Sequence, residues 1–108
     1  MELRRDVFQA IADPNRREII DLLSKQTMNL NAVAGHFNIS RPAISKHIKI
    51  LQECGLVIIK QTGRDRYCSA DVQKLKEVDQ WLDSYRKFWN SKLDALGSFI
   101  DRQEEPDL

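Results

Sequence analysis

The segment between Asn29 and Gly55 constrains the fold most, because it predicts two short amphipathic helices with a connection of only about three residues. Asn29 or Asn31 caps the first helix, which ends at Asn38. Ser40 caps the second helix, and Gly55 ends it. Their apolar residues recur at helical spacing: Leu30, Val33, Ala34 and Phe37 in the first helix, and Ile44, Ile48 and Leu51 in the second. So short a connection is typical of a helix-turn-helix.

A short β-hairpin is predicted directly after Gly55. Residues 56–59 read Leu-Val-Ile-Ile, a run that is rich in β-branched side chains and too short for a helix. The turn covers residues 62–65, and the second strand covers residues 66–69. The hairpin would therefore form a two-stranded wing next to the second helix.

Two further helices are predicted before the helix-turn-helix, because Asp13-Pro14 interrupts the helical spacing near the N-terminus. The first helix ends near Ala12. The second has Asp13 as its N-cap and Pro14 at its first position, and it ends near Ser24. Their apolar residues are Leu3, Val7, Phe8 and Ile11 in the first helix, and Ile19, Leu22 and Leu23 in the second.

A long amphipathic helix is predicted from its N-cap, Asp71, to about residue 100. Its apolar residues follow a three-four spacing and are Leu75, Val78, Leu82, Tyr85, Trp89, Leu96 and Phe99. Roughly 30 helical residues measure about 45 Å, whereas a globule of this length has a radius of about 13 Å. We therefore expect part of this apolar stripe to contact another chain.

Together these elements predict a mainly helical winged helix-turn-helix fold with five helices and a two-stranded β wing. We expect a single domain over residues 1–100, in which residues 71–100 form a C-terminal dimerisation helix, and a frayed acidic tail over residues 101–108. A homodimer through the first and last helices is expected. The residues expected at its interface are Leu3, Val7, Leu82, Tyr85, Trp89, Leu93, Leu96 and Phe99.

The positive charge of the chain is concentrated in residues 41–66. The net charge of the whole chain is only +1. Residues 41–66 nevertheless hold six Lys or Arg against two Asp or Glu, whereas residues 67–108 hold six against nine. Because attraction to phosphate decays over about 8–10 Å in physiological salt, a local basic patch matters more than the total. This distribution favours double-stranded DNA as the partner.

The second helix of the helix-turn-helix has a polar face opposite its apolar stripe. On that face Lys46 could donate to a guanine edge or a phosphate, and Ala43 could contact a thymine methyl group. Arg64 and Arg66 on the hairpin could reach backbone phosphates or the minor groove. The residues expected to bind DNA are Arg41, Pro42, Ala43, Ser45, Lys46, His47, Lys49, Lys60, Arg64 and Arg66.

Three segments of the chain resemble the ArsR/SmtB family of winged-helix repressors, and the resemblance covers about residues 5–70. The segments read Asp13-Pro14-Asn15-Arg16-Arg17-Glu18-Ile19, Ser40-Arg41-Pro42-Ala43-Ile44-Ser45-Lys46-His47-Ile48 with Leu51, and Gly55-Leu56-Val57. The resemblance implies a homodimeric bacterial transcriptional repressor that an effector releases. Two recognition helices in a symmetric dimer in turn predict a palindromic operator. His47 matches a position that the family fills with histidine, where it would help to seat the recognition helix.

The sequence departs from the family's metal-sensing members. Their thiolate motif is absent, because residues 30–34 read Leu-Asn-Ala-Val-Ala, and residues 71–108 contain no histidine for a zinc site. The long last helix is similar to that of a family branch without metal ligands, on the residues Trp81-Leu82, Tyr85, Phe88-Trp89 and Leu93. We therefore expect no metal and no cofactor. Cys54 and Cys68 are expected to be reduced structural thiols, although a thiol-based redox-sensing repressor remains an alternative.

The remaining function classes are less well supported by the sequence. No apolar run approaches a membrane span, and no apolar stretch of signal-peptide type follows the N-terminal charges, so we expect a cytoplasmic protein. A phosphate-binding glycine loop, an HExxH motif and a supported nucleophile-base pair are all absent, so we expect no enzyme. A winged helix that serves only as a protein-interaction module remains the other alternative.

Overall fold

The computed structural model describes the backbone of residues 6–104 and the side chains of residues 6–101. Five α-helices and three β-strands follow one another in this part of the chain. The helices are α1 (Val7–Ile11), α2 (Pro14–Lys25), α3 (Leu30–Ala34), α4 (Arg41–Glu53) and α5 (Lys76–Glu104), and the strands are β1 (Met28–Asn29), β2 (Val57–Thr62) and β3 (Asp65–Ala70). A 3-10 turn, Val72–Leu75, precedes α5.

The predicted N-caps of α2, α3 and α4 are confirmed, whereas Asp71 caps the 3-10 turn and not α5 itself. Each cap side chain accepts a hydrogen bond from a backbone N–H of the turn that follows it. The distances from the capping oxygen to the backbone nitrogen are 2.8 Å for Asp13 to Asn15, 2.8 Å for Asn29 to Ala32, 3.2 Å for Ser40 to Ala43 and 3.1 Å for Asp71 to Gln73. Of the two candidate caps for α3, the structure therefore selects Asn29. The helix ends at Ala34, four residues before the predicted end at Asn38.

Gly55 determines how the chain leaves α4. Its φ angle is +80°, in the left-handed region that favours glycine. The N–H of Leu56 donates to the carbonyl oxygen of Leu51 at 2.9 Å, and the N–H of Gly55 donates to that of Gln52 at 3.0 Å. This pair of hydrogen bonds is a Schellman motif, and it turns the chain from α4 directly into β2.

The sheet has three strands, so the prediction of a two-stranded wing was incomplete. The predicted hairpin is present, with β2 and β3 antiparallel and Thr62 opposite Asp65 across a two-residue turn. Gly63 in that turn has a φ of +62°. The third strand, β1, pairs with the other edge of β3 and places Met28 opposite Cys68. A strand of two residues is too short to show an alternating pattern in the sequence.

The described chain divides after Glu77 into two compact units, which we describe separately. The core of the first unit lies between the helices and the sheet. Its fully buried side chains include Val7, Ile19, Val33, Ile44, Leu51, Leu56 and Cys68. The predicted apolar face of α4 is therefore confirmed as the buried face, since Ile48 is also buried.

The second unit consists of the part of α5 from Val78 onwards. Its large apolar side chains are exposed in the single chain: Trp81, Tyr85, Phe88, Trp89, Leu93, Leu96, Phe99 and Ile100. Arg86 pairs with Asp79 and Asp83 on the same helix. The α-helix begins at Lys76, later than predicted, because the 3-10 turn occupies the residues directly after Asp71.

Two predictions for the chain ends have different outcomes. Helix α5 continues to Glu104, beyond the predicted end at about residue 100. Residues 105–108 of the predicted tail lie outside the described residues, as does Leu3.

The single domain over residues 1–100 stays a prediction. None of the helices given above has the combination of length and apolar character that a membrane span requires.

Candidate nucleic-acid interface

The outer face of α4 carries the predicted DNA-binding residues because the opposite face is fixed in the core. Ile44 and Leu51 are completely buried, which sets the rotation of the helix about its axis. Residues about half a turn away are then directed outwards. Lys46 and Lys49 are accordingly exposed, and Arg41 is exposed at the first position of the helix. Of the other residues predicted to bind DNA from α4, Pro42 is exposed, whereas Ala43 and Ser45 are half-buried.

The strand register separates the basic side chains of the wing. Gln61 lies opposite Arg66, and Lys60 lies opposite Tyr67. Because side chains alternate between the two faces of a sheet, Arg66 shares a face with Cys68 and Ile59, whereas Lys60 projects from the other face. The three predicted wing cations are all exposed, but Lys60 and Arg66 are not on one surface.

Two hollows between α4 and the sheet bring predicted DNA-binding residues together. The larger hollow, of about 300 Å³, has Ser45 and Lys49 of α4 on one side and Arg66 of β3 on the other. The smaller hollow, of about 100 Å³, has Arg41, Arg64 and Arg66 among its lining residues. Asp65 also lines this hollow, so it holds three arginines and one carboxylate. The excess of positive charge favours a phosphate.

His47 lies on the side of α4 that faces α2, so its environment is that of a helix-packing residue. Its Nδ1 atom is 3.4 Å from Nη1 of Arg16, and its side chain is half-buried. The predicted role in seating the recognition helix fits this position. A direct contact of His47 with DNA stays a prediction.

Arg16 is not among the residues predicted for the DNA-binding site, although it lies in the segment that carries the family resemblance. Its Nε donates to the carbonyl oxygen of Ala10 at 2.8 Å, and its Nη2 donates to that of Gln9 at 2.9 Å. These acceptors belong to the last turn of α1. With its contact to His47, Arg16 therefore connects α1 to α4. The signal in the sequence was an arginine three residues after the cap Asp13.

Asp13 has a lowered pKa because it caps α2. Partial burial by itself would raise the pKa of this carboxyl group, but hydrogen bonds from the backbone N–H groups of Arg16 and Asn15 and the nearby charges of His47 and Arg16 outweigh that effect. The ionised carboxylate is therefore the form that the folded chain favours.

The two cysteines are buried, and neither forms a disulfide. Cys54 caps the end of α4, and Cys68 lies in β3 with 1% of its surface exposed. Burial raises the pKa of the Cys68 thiol, although the charge of Arg66 opposes the shift. A raised pKa and low exposure both disfavour the reactive thiolate. Within residues 6–101, no three His, Cys, Asp or Glu side chains cluster as a metal site would require.

The residues predicted for the dimer interface differ in how much surface they offer. Val7 is only 1% exposed, because its side chain packs in the core of its own chain. The exposed apolar residue of α1 is its neighbour Phe8. Leu82 is half-buried, whereas Tyr85, Trp89, Leu93, Leu96 and Phe99 are exposed in the single chain.

A helix-turn-helix with a basic outer face, followed by a β-hairpin that carries arginines towards the same helix, defines a winged-helix DNA-binding protein. Comparison with known proteins extends this assignment. Residues 13–58 match the model of the bacterial regulatory protein, arsR family. The chain is 39% identical over 77 residues to the transcriptional repressor SdpR of Bacillus subtilis, with 71% of this chain and 86% of that protein covered.

Two solved structures are similar to the described chain. The crystal structure of an ArsR family transcriptional regulator has a TM-score of 0.69 and 32% sequence identity, with 78% of this chain and 87% of that chain covered. A homodimeric winged helix-turn-helix DNA-binding domain from Mycobacterium bovis, a possible ArsR-family regulator studied by NMR in solution, has a TM-score of 0.60 and 25% identity, with coverage of 74% and 77%. The chain belongs to the ArsR family and is a DNA-binding transcriptional regulator.

Proposed function

We propose that the chain is a repressor that binds a palindromic operator as a homodimer, with α4 in the major groove and the wing on the adjacent backbone. The observation that carries this proposal is that Arg41, Arg64 and Arg66 line one hollow beside α4, with Asp65 as its one acidic lining residue. Recognition by a single short helix covers only a few base pairs, so a dimer with two recognition helices is needed for a specific site.

The apolar stripe of α5 supports the homodimer. Eight large apolar side chains between Trp81 and Ile100 are exposed in the single chain. An exposed apolar surface of this kind marks an interaction site. A homodimeric relative of the same fold makes a second copy of this chain the expected partner. In such a dimer the two recognition helices would lie about 34–36 Å apart, one helical turn of DNA.

Operator binding by the outer face of α4 can be tested with the double variant Lys46→Ala/Lys49→Ala. The duplex would be the DNA upstream of the protein's own coding sequence, compared with a scrambled duplex at fixed salt. Loss of a base-edge contact should cost about 1–3 kcal/mol on the operator and less on the scrambled duplex. Lys25→Gln/Lys87→Gln is the matched control, because it removes two charges from other helices.

An unchanged operator affinity in the Lys46/Lys49 double variant would contradict the assigned face. The wild-type footprint offers a second check, because a homodimer should protect two half-sites with two-fold symmetry. Protection of one half-site at full affinity would contradict the dimeric mode of binding.

No specific observation favours either of the two alternative functions. A redox-sensing repressor needs a reactive thiol, whereas Cys54 and Cys68 are both buried. A protein-interaction module would not need arginines from two separate elements around one hollow of phosphate size.

A further inference from the structure

We propose that the larger hollow beside α4 is a binding site for a small amphipathic anion, namely a carboxylate with a short apolar chain. Half of its eight lining residues are apolar, and half are polar. The apolar residues are Leu30, Ile48, Ile59 and Cys68. They come from α3, α4, β2 and β3, so four elements of the first unit meet around the hollow.

The apolar side of the hollow is formed by two core residues of the first unit and by two half-buried residues. Ile48 is 2% exposed and Cys68 is 1% exposed, so both belong to the core of the first unit. Leu30 and Ile59 are half-buried. The volume of about 300 Å³ is at the lower end of the range for small-molecule pockets, about 300–1,000 Å³. The size therefore fits a short chain and not a large aromatic ligand.

The polar side of the hollow determines the charge of the ligand. Lys49 approaches from α4 and Arg66 from β3, and both side chains are exposed. The other polar lining residues, Ser45 and Gln52, are neutral, and no lining residue is acidic. A guanidinium group and an ammonium group on opposite walls are complementary to one carboxylate.

Occupation of this site would compete with operator binding, because Lys49 and Arg66 belong to the proposed DNA-binding face. A carboxylate between them would neutralise two charges that phosphates would otherwise contact. This competition rests on the proposed function, whereas binding of the carboxylate in the absence of DNA does not.

Binding can be measured on the full chain without DNA by methyl NMR of Ile48 and Ile59. The probes are butyrate, hexanoate and octanoate, with hexanol as the uncharged match of hexanoate. We expect the affinity to rise about fourfold for each added methylene until the hollow is full. Hexanol should bind at least about tenfold more weakly than hexanoate, because it lacks the charge.

Two variants locate the site. Ile59→Phe fills the hollow and should weaken hexanoate binding about tenfold. Ile58→Phe is the matched control, because Ile58 is exposed on the opposite face of β2 and does not line the hollow. Gln52→Glu adds a negative charge at an exposed position of the polar side, so it should weaken hexanoate binding without affecting hexanol.

The competition is tested by titrating hexanoate into the complex of wild-type protein and upstream duplex, with acetate at equal ionic strength as the control. Hexanoate should release the duplex at concentrations at which acetate does not. Duplex retained at saturating hexanoate would overturn the competition. A protein that binds hexanoate but no duplex would overturn the proposed function and leave the ligand site standing.

The site itself is overturned by any of three results. In the first, the methyl signals of Ile48 and Ile59 respond to the duplex and to none of the carboxylates. The hollow would then bind the DNA backbone and not a carboxylate ligand. Equal binding of hexanol and hexanoate would remove the anionic part of the proposal. Equal hexanoate affinity of Ile59→Phe and Ile58→Phe would place the carboxylate elsewhere.

Discussion

Helices α4 and α5 are both amphipathic, yet in the single chain the apolar face of α4 is buried and that of α5 is exposed. Ile44 and Leu51 of α4 are completely buried by elements of their own unit. Trp89 and Leu96 of α5 are each about half exposed, at 49% and 54%. Periodicity in the sequence therefore predicts an apolar stripe but not what covers it. The first stripe stabilises the fold of one chain, and the second is available for a partner.

The largest expected effect is on the α5 side of this comparison. Replacing Trp89 and Leu96 together by Gln should give monomers, or aggregates if the remaining stripe stays exposed. Operator affinity should fall about 10²–10⁴-fold although no DNA-facing residue has changed, because two linked half-site contacts become one. Sedimentation and footprinting would measure the two effects. Lys87→Gln/Asp94→Asn on the same helix is the control, and equal behaviour of both double variants would refute an α5 interface.

The α4 side of the comparison is tested by Leu51→Ala. The side chain is fully buried, so its truncation should lower the free energy of unfolding by about 2–5 kcal/mol at every protein concentration. Leu93→Ala, 65% exposed in the single chain, should change that energy only through the dimer and therefore with protein concentration. Urea unfolding at two protein concentrations measures both. A concentration-independent loss of similar size for Leu93→Ala would show that the two stripes do not differ.

Arg16 tests whether the recognition helix depends on its connection to α1. Arg16→Ala removes donors to the carbonyl groups of Gln9 and Ala10 and the contact to His47. Unfolding should become easier by about 1.5–3 kcal/mol, as expected for hydrogen bonds from a charged group in a half-buried site. Arg17→Ala is the control, because Arg17 makes an exposed hydrogen bond to Ile11 at 2.7 Å and should matter less. Equal losses would argue against a special role for Arg16.

The wing should affect the salt dependence of binding more than its specificity. Arg64→Gln/Arg66→Gln should reduce the slope of log affinity against log salt concentration by about 0.9 for each lost phosphate contact. Because Lys60 lies on the other face of the wing, Lys60→Gln should reduce the slope less. Binding titrations over a range of salt concentrations decide this. An unchanged slope in the double arginine variant would make the hairpin an ordinary solvated turn.

The smallest effect is expected for Asp13, on the pH dependence of the free energy of unfolding. Because its pKa is lowered in the folded chain, Asp13 contributes stability above the ordinary carboxyl pKa of 3.8, and this contribution is lost as the pH falls through the lower folded value. Asp13→Asn keeps a capping oxygen but does not titrate there. The stability of the variant should therefore decline less between about pH 5 and pH 3 than that of the wild type. Asp21→Asn, at an exposed position of α2, serves as the control in urea unfolding.

Elements that depend on neighbouring residues could be predicted from the sequence alone. A cap and the backbone N–H that donates to it are two or three residues apart, so Asp13, Ser40 and Asp71 could be recognised as caps without a structure. The same holds for the apolar face of α4 and for the hairpin, whose turn residues include Gly63 with its positive φ. The outer face of α4 followed from the inner one by helix geometry alone.

Features that join distant segments could not be predicted from the sequence, because they depend on how the elements pack together. Strand β1 exists because β3 offers it hydrogen-bond partners about 40 residues further along the chain, a pairing that leaves no local pattern. The separation of Lys60 from Arg66 depends on the β2–β3 register, and a shift of one residue would reverse it. The inward position of His47 and the burial of Val7 depend on packing against residues that no spacing rule connects to them. Spacing along the chain reports which residues share a face, whereas packing decides what each face meets.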